Sequence, residues 1–277
     1  MRIRLVRLSI LLALCGSTLV SAAAQPTYYL ALGDSLAIGV QPSGSGGDVA
    51  TNQGYADDLY AVLRTRIPGL SLAKLGCSGE NTTTMIHGGK CSYAAGSQLA
   101  AAVTFIETHH VGLITLDIGA NDIDGCISGS GIDTTCVAKA FTAVGSNLPQ
   151  ILAALRAATG QDTPIIAMNY YDPFLALWTL GSQGQALAKA SVRATDDFNT
   201  LLYGVYQAFS VPMANVAHAY RINDFTLIPF INVPVNVFLT LTWTWMGAPS
   251  PFGPDIHPNA VGYAVIAGAF AEKILTR

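Results

Sequence analysis

Charge is scarce in this sequence. Asp, Glu, Lys and Arg make up 11% of its 277 residues, against 51% hydrophobic side chains. That balance excludes a disordered chain, a coiled coil and a collagen-like repeat, because enough apolar surface is present to offset chain entropy. Beyond Arg2, Arg4 and Arg7 there is no basic cluster, so nothing suggests nucleic acid or an anionic membrane surface as a partner. Cysteine is sparse, and no two of the five are spaced C-x-x-C, which removes the usual support for zinc or thioredoxin-like chemistry. Also missing are G-x-S-x-G, H-E-x-x-H, a P-loop and G-x-G-x-x-G. The α/β-hydrolase elbow, the zinc-protease helix and the common nucleotide cradles are therefore not in evidence, and no cofactor is implied.

Two apolar stretches raise the question of a membrane. In the first, the three arginines precede a mostly apolar run, Leu8 to Val20, and Ala22-Ala23-Ala24 offers a small-residue cleavage site. This pattern predicts a secretory signal peptide over 1–24, and Leu14 before Cys15 disfavours a lipid anchor. Cleavage near Ala24 would leave residues 25–277 as one large domain, exported to the periplasm or beyond. It would also take three of the 14 basic residues, leaving 11 against 17 acidic ones and a net charge of −6. The second stretch, Phe225 to Met246, contains Pro229, Asn232, Pro234 and Asn236, which would break a spanning helix. It is expected to be a loop or irregular segment covering something, without stable membrane insertion.

Removing Cys15 leaves Cys77, Cys91, Cys126 and Cys136. An even count in an exported chain favours two disulfides. Three connectivities are open, as are free thiols; Cys77–Cys91 with Cys126–Cys136 closes the shortest loops and is preferred.

Short β-type runs alternate with helical patterns along the rest of the chain. Strands are expected at Tyr28–Leu32, Leu70–Leu75, Val111–Ile118, Ile165–Asn169 and Val211–Val216. Helices are expected at Tyr55–Arg66, Ser97–Thr108, Val137–Ala158, Gly184–Phe209 and Asn259–Leu275, with Ser43–Gly47 as a loop. Strand followed by helix, five times, predicts an α/β fold: a parallel five-stranded sheet between two helical layers. In such sheets function gathers at the carboxyl ends of the strands.

Gly33-Asp34-Ser35, Gly76-Cys77-Ser78-Gly79, Gly119-Ala120-Asn121-Asp122 and Asp255-Ile256-His257 fall at or after those strand ends. Acyl transfer needs a nucleophile, a base and donors for an oxyanion. Ser35 could supply the first and His257 the second. The backbone N–H groups of Ser35 and Gly79 and the amide of Asn121 could be the donors. The four blocks in this order resemble those of the SGNH (GDSL) hydrolase family, at Ser35, Gly79, Asn121 and His257, and the resemblance spans essentially the whole mature chain. The Asn169-to-Phe174 stretch is similar to the secreted bacterial esterase/lipase branch. The resemblance implies a single-domain, flavodoxin-like αβα sandwich and a cofactor-free serine hydrolase of small-molecule or lipid esters. A carbohydrate deacetylase of the same fold and a non-catalytic exported binding protein are the rival readings.

One position departs from the family. The acid usually stands three residues before the histidine, where this chain has Pro254; Asp255 is two residues before His257. Either Asp255 reaches the imidazole, or a backbone carbonyl orients the ring, or Asp255 only caps the following helix; Asp255 is preferred as the catalytic acid, since a carboxylate also stabilises the imidazolium that forms. Asp122 is expected to fix its loop by hydrogen bonding. His87, His109, His110 and His218 lack partners at ligand spacing, so no metal is expected. Phe238, Trp243, Trp245 and Met246 are either core or the lining of an acyl pocket.

Overall fold

The computed structural model describes residues 26–275, so the expected signal peptide lies outside the described residues. Five strands form the central sheet: β1 (Thr27–Gly33), β2 (Leu70–Lys74), β3 (His110–Asp117), β4 (Ile165–Met168) and β5 (Met213–Ala214). Their order is β2-β1-β3-β4-β5, with every pairing parallel. From Leu113 to Asp117, β3 is buried throughout, as expected of a strand covered on both faces.

The helices are α1 (Tyr55–Leu63), α2 (Thr82–His87), α3 (Gln98–Thr108), α4 (Ala120–Ile123), α5 (Thr134–Thr159), α6 (Gly181–Ala208), α7 (Val216–Ala219), α8 (Val235–Trp243) and α9 (Ala260–Leu275). On one face α1 packs on α9, where the Tyr55 and Phe270 rings stack 4.8 Å apart. The other layer joins α3, α5 and α6. Right-handed crossovers produce this division: β1 to β2 runs one way across the sheet, and β2 through β5 runs back the other. The loops leaving β1 and β3 therefore diverge, opening a crevice at the carboxyl edge between them.

Two expectations are corrected. The fifth strand is two residues long rather than 211–216, because the chain turns at once into α7, capped by Asn215. Ser43–Gly47 is a loop as expected, the turn of an antiparallel hairpin of Val40–Pro42 with Asp48–Ala50. The segment 225–246 is largely ordered secondary structure: a hairpin, Leu227–Ile228 with Val233–Pro234, leads into α8 and then a 3-10 turn at Trp245–Gly247. Pro234 occupies the N-cap of α8, where its missing N–H costs nothing and its fixed φ suits helix entry. Among the described residues no helix is long and apolar enough to cross a membrane. The cysteines pair as Cys77–Cys91 and Cys126–Cys136, the short-loop connectivity.

Candidate active site

A cavity of about 230 Å³ opens at the β1/β3 crevice. Ser35, Gly79, Asn121 and His257 all line it, successive members standing 44, 42 and 136 positions apart in the chain.

Ser35 follows β1 in a turn that only glycine permits. Gly33 has φ +135°, and a Cβ there would meet the Asp117 carbonyl oxygen at 1.8 Å. The Asp34 N–H then donates to that carbonyl at 3.0 Å and to the Asp117 carboxyl at 3.1 Å. Asp34, itself buried, accepts from Leu36 N–H at 2.9 Å and from Ser35 Oγ at 3.5 Å, closing the turn. Burial pushes the Asp34 carboxyl up to about 6 against the pull of those donors. On the far side, Gln98 brackets Gly33: its side chain accepts from Gly33 N–H and donates to Gly33 carbonyl oxygen, both at 2.8 Å. Gln98 also donates to Glu80 at 3.1 Å, tying the serine turn to the Gly79 loop.

Gly79 sits at φ +75° in the loop that the Cys77–Cys91 bridge closes. Asn121 opens α4, and its Nδ2 donates to the Glu80 carbonyl oxygen at 3.0 Å, which leaves the second amide hydrogen for the cavity. Asp122 accepts from the N–H and hydroxyl of Thr82 at 2.9 and 2.8 Å, so it anchors the Asn121 loop to α2.

His257 is nearly buried, and Asp255 does reach it. Asp255 Oδ1 accepts from the His257 backbone N–H and lies 2.8 Å from the ring Nδ1. An aspartate bonding the N–H two residues on is an Asx turn, and this one brings the carboxylate to the ring despite the shortened spacing. Tyr171 OH donates to Ile256 carbonyl oxygen at 2.7 Å and Trp245 N–H to His257 carbonyl oxygen at 3.0 Å, fixing the loop from both sides. With Nδ1 held, Nε2 is the nitrogen left for chemistry; it has no hydrogen bond among the described residues. Ser35 Oγ is not within hydrogen-bond distance of the ring, an arrangement common before substrate tightens a site.

Sequence reading missed a second carboxylate. Asp48, carried in by the hairpin, lines the cavity with its Oδ2 4.0 Å from His257 Nδ1. Nothing local marks it, because only the pairing of Val40–Pro42 with Asp48–Ala50 turns it inward. Burial alone would push the imidazole down, but the hydrogen bond and charge of Asp255, with Asp48 and Asp34 behind it, hold it above its usual value. Burial, then the neighbouring Asp255 charge, raise Asp48, while the imidazole holds Asp255 below the usual carboxylate range against its own burial. Asp48, Asp255 and His257 are the one trio of possible metal ligands found among the described residues. Their contacts are already those of a histidine and its acids.

Phe238, Trp243 and Trp245 do not line this cavity. Phe238 is exposed on α8, Trp243 meets the Tyr220 ring edge-on at 5.3 Å, and Trp245 stacks on Phe252 at 5.7 Å. α8 sets Phe238 and Trp243 by helical rather than alternating period and Trp245 lies in the 3-10 turn beyond it, so none of the three lines the pocket. The apolar wall comes instead from Ile123, Ile127, Tyr170, Tyr171, Phe174 and Phe198. Three of those lie in the Asn169-to-Phe174 stretch, which was the available signal.

Several solved structures share this fold. An extracellular lipase from Streptomyces rimosus is 19% identical with a TM-score of 0.58, over 88% of this chain and 99% of that one. A phospholipase A1 from Streptomyces albidoflavus is 19% identical with a TM-score of 0.55, over 90% and 100%. An acetylxylan esterase from Geobacillus stearothermophilus is 14% identical with a TM-score of 0.53, over 91% and 94%. No curated protein matches the sequence. The profile of one family does match, over residues 31–265, a span that begins within β1, ends within α9 and takes in all four blocks. On that match the chain belongs to the GDSL-like lipase/acylhydrolase family.

Proposed function

We propose that the protein is an exported serine esterase that cleaves carboxylic esters of apolar acyl groups. The observation that carries this reading is the His257–Asp255 pair, 2.8 Å apart, in the cavity that Ser35, Gly79 and Asn121 also line. Ser35 Oγ attacks the ester carbonyl while His257 Nε2 takes its proton. The oxyanion that forms is met by the N–H groups of Ser35 and Gly79 and by Asn121 Nδ2. The imidazolium, stabilised by Asp255, returns the proton to the leaving alcohol, and water then releases the acid from Ser35 by the same steps in reverse.

The wall favours neutral, apolar acyl groups over sugar acetates. Its side chains are mostly aromatic and aliphatic, and its carboxylates are Asp34, Asp48 and Asp124, with no lysine or arginine. Two disulfides support an oxidising compartment, in keeping with export.

Hydrolysis of p-nitrophenyl butyrate by the wild-type protein and by Ser35→Ala tests the reading. Turnover lost on substitution, with fluorophosphonate labelling of Ser35, is the expected result. Turnover surviving in Ser35→Ala would overturn it, and preference confined to acetylated sugars would replace it with the deacetylase.

A further inference from the structure

From Phe225 through Pro254 no side chain is charged, and near the start of that run lies the most solvent-accessible large hydrophobic residue among the described residues. Phe230 is 107% exposed, Ile231 and Leu227 each 51%, at the tip and shoulder of the Leu227–Ile228/Val233–Pro234 hairpin. All four turn residues, Pro229 to Asn232, are exposed. Phe230 and Asn232 have φ +71° and +53°, the left-handed region that a bulky side chain rarely adopts. Ordinary folding would bury a phenylalanine or replace it; here an uncommon backbone conformation holds one out in solvent.

The hairpin stands on a firm base. Val235 N–H donates to Thr226 carbonyl oxygen at 2.9 Å, Asn236 N–H to Asp224 carbonyl oxygen at 3.0 Å, and the buried Asn236 amide to Ile222 carbonyl oxygen at 2.7 Å. Below it Phe225 packs on Trp178, ring centres 5.7 Å apart. The apolar tip is therefore presented by a stiff stalk. In the chain it lies between the carboxyl end of β5 and the His257 loop.

We propose that this hairpin is an insertion device for an uncharged lipid surface. Its shape decides against a second protein chain. Phe230, Ile231 and Leu227 together offer on the order of 400 Å² of apolar area, about half of what one partner contributes to a stable protein interface. A narrow projecting tip suits the boundary between headgroups and acyl chains, where a few large apolar side chains enter without a complementary surface. Charge decides the kind of lipid. The segment itself has no lysine or arginine to meet an anionic headgroup, and before it Asp224 and Arg221 neutralise each other as an ion pair, so attraction to a zwitterionic or neutral surface must be apolar. The inference goes beyond the esterase reading and does not depend on it.

Flotation of the purified protein with phosphatidylcholine vesicles tests it, with F230S/I231S alongside and Val62→Ser, an exposed apolar position on α1, as the control. The expected result is binding by wild type and V62S that is insensitive to 0.5 M salt (a working concentration of about three times physiological). F230S/I231S should partition at least about tenfold less, since two large apolar side chains are lost. Its turnover of a soluble ester should match wild type, which separates lost anchoring from misfolding or a lost active site. Absence of wild-type binding would overturn the proposal, as would binding that survives in F230S/I231S or that requires anionic lipid and fails in salt. So would a wild-type dimer in sedimentation that the double substitution converts to monomer, which would assign the tip to a second copy.

Discussion

Removing the Asp255 carboxylate should reveal how the two acids beside His257 divide their work. At an effective dielectric of about 20, a charge pair at the 2.8 Å of Asp255 is worth roughly 6 kcal/mol, and one at the 4.0 Å of Asp48 roughly 4 kcal/mol. Asp48 is 39% exposed against 18% for Asp255, so solvent screens its share further. In Asp255→Ala the imidazolium loses the nearer charge and a charge-assisted hydrogen bond of about 2 kcal/mol, but keeps Asp48. Desolvation of the partly buried pair offsets about half of that, so the net loss is about 4 kcal/mol, or about 10³-fold in kcat/KM. Asp48→Asn alone should cost less than about threefold, because Asp255 still dominates. In the Asp255→Ala background the same change should cost at least about tenfold, because Asp48 is then the last acid facing Nδ1. Steady-state kinetics with a soluble ester across pH reads both quantities. The acid limb of the profile should also move to lower pH in Asp255→Ala, since burial is left to depress the imidazole. Equal factors for Asp48→Asn in both backgrounds would refute the division of labour. So would an Asp255→Ala enzyme within about tenfold of wild type, which would show that the ring needs no acid.

Two further outcomes follow from the same geometry. Asn121→Ala should lower kcat by about 10²-fold or more with little change in KM, because the amide acts on charge that exists only in the transition state; a pure KM effect in the kinetics would assign Asn121 to substrate binding instead. Stability should fall as pH rises from about 5 to 8. Burial raises Asp172 to about 7 against the hydrogen bond of Ser191, so the folded state holds a proton that the unfolded chain has released near 3.8, and stability is lost as that proton leaves. The raised imidazole of His257 acts with the same sign, its contribution vanishing above its folded-state value. For Asp172 the full swing between about pH 4 and 7 is roughly 4 kcal/mol, of which about 3 kcal/mol falls between pH 5 and 8, and Asp172→Asn should remove most of it. Urea midpoints at pH 5 and 8 check the sign, and a midpoint that rises with pH would contradict it.

What was legible in the sequence was what the chain encodes locally. Unbroken apolar runs gave β1, β3 and β4 to within two residues, because a strand buried on both faces must be apolar throughout. Periodic apolar positions did the same for α3 and α9. β5 was overextended because an apolar run cannot show where its partner strand stops; the ladder with β4 ends at Met168–Ala214. The 225–246 segment was misread because its prolines were weighed as helix breakers, when Pro234 stands at the one helical boundary that proline favours.

The site itself shows the same divide more sharply. Ser35, Gly79 and Asn121 could be named because each follows a strand end, and strand ends follow from periodicity; His257 could be named because its block opens the last helix, α9. Asp48 could not, since its place beside His257 is set by a hairpin whose strands have three residues each and whose buried residues give no alternation to read. The shortened Asp-x-His spacing is the instructive case between these extremes. Counted as a departure from the family, it argued against Asp255. Counted as an i to i+2 aspartate turn, it argues for it, because the oxygen that accepts the His257 N–H is also the one beside Nδ1. Spacing in sequence constrains a catalytic pair only through the backbone conformation between its members, and a tighter turn can place a carboxylate against an imidazole as well as a longer one.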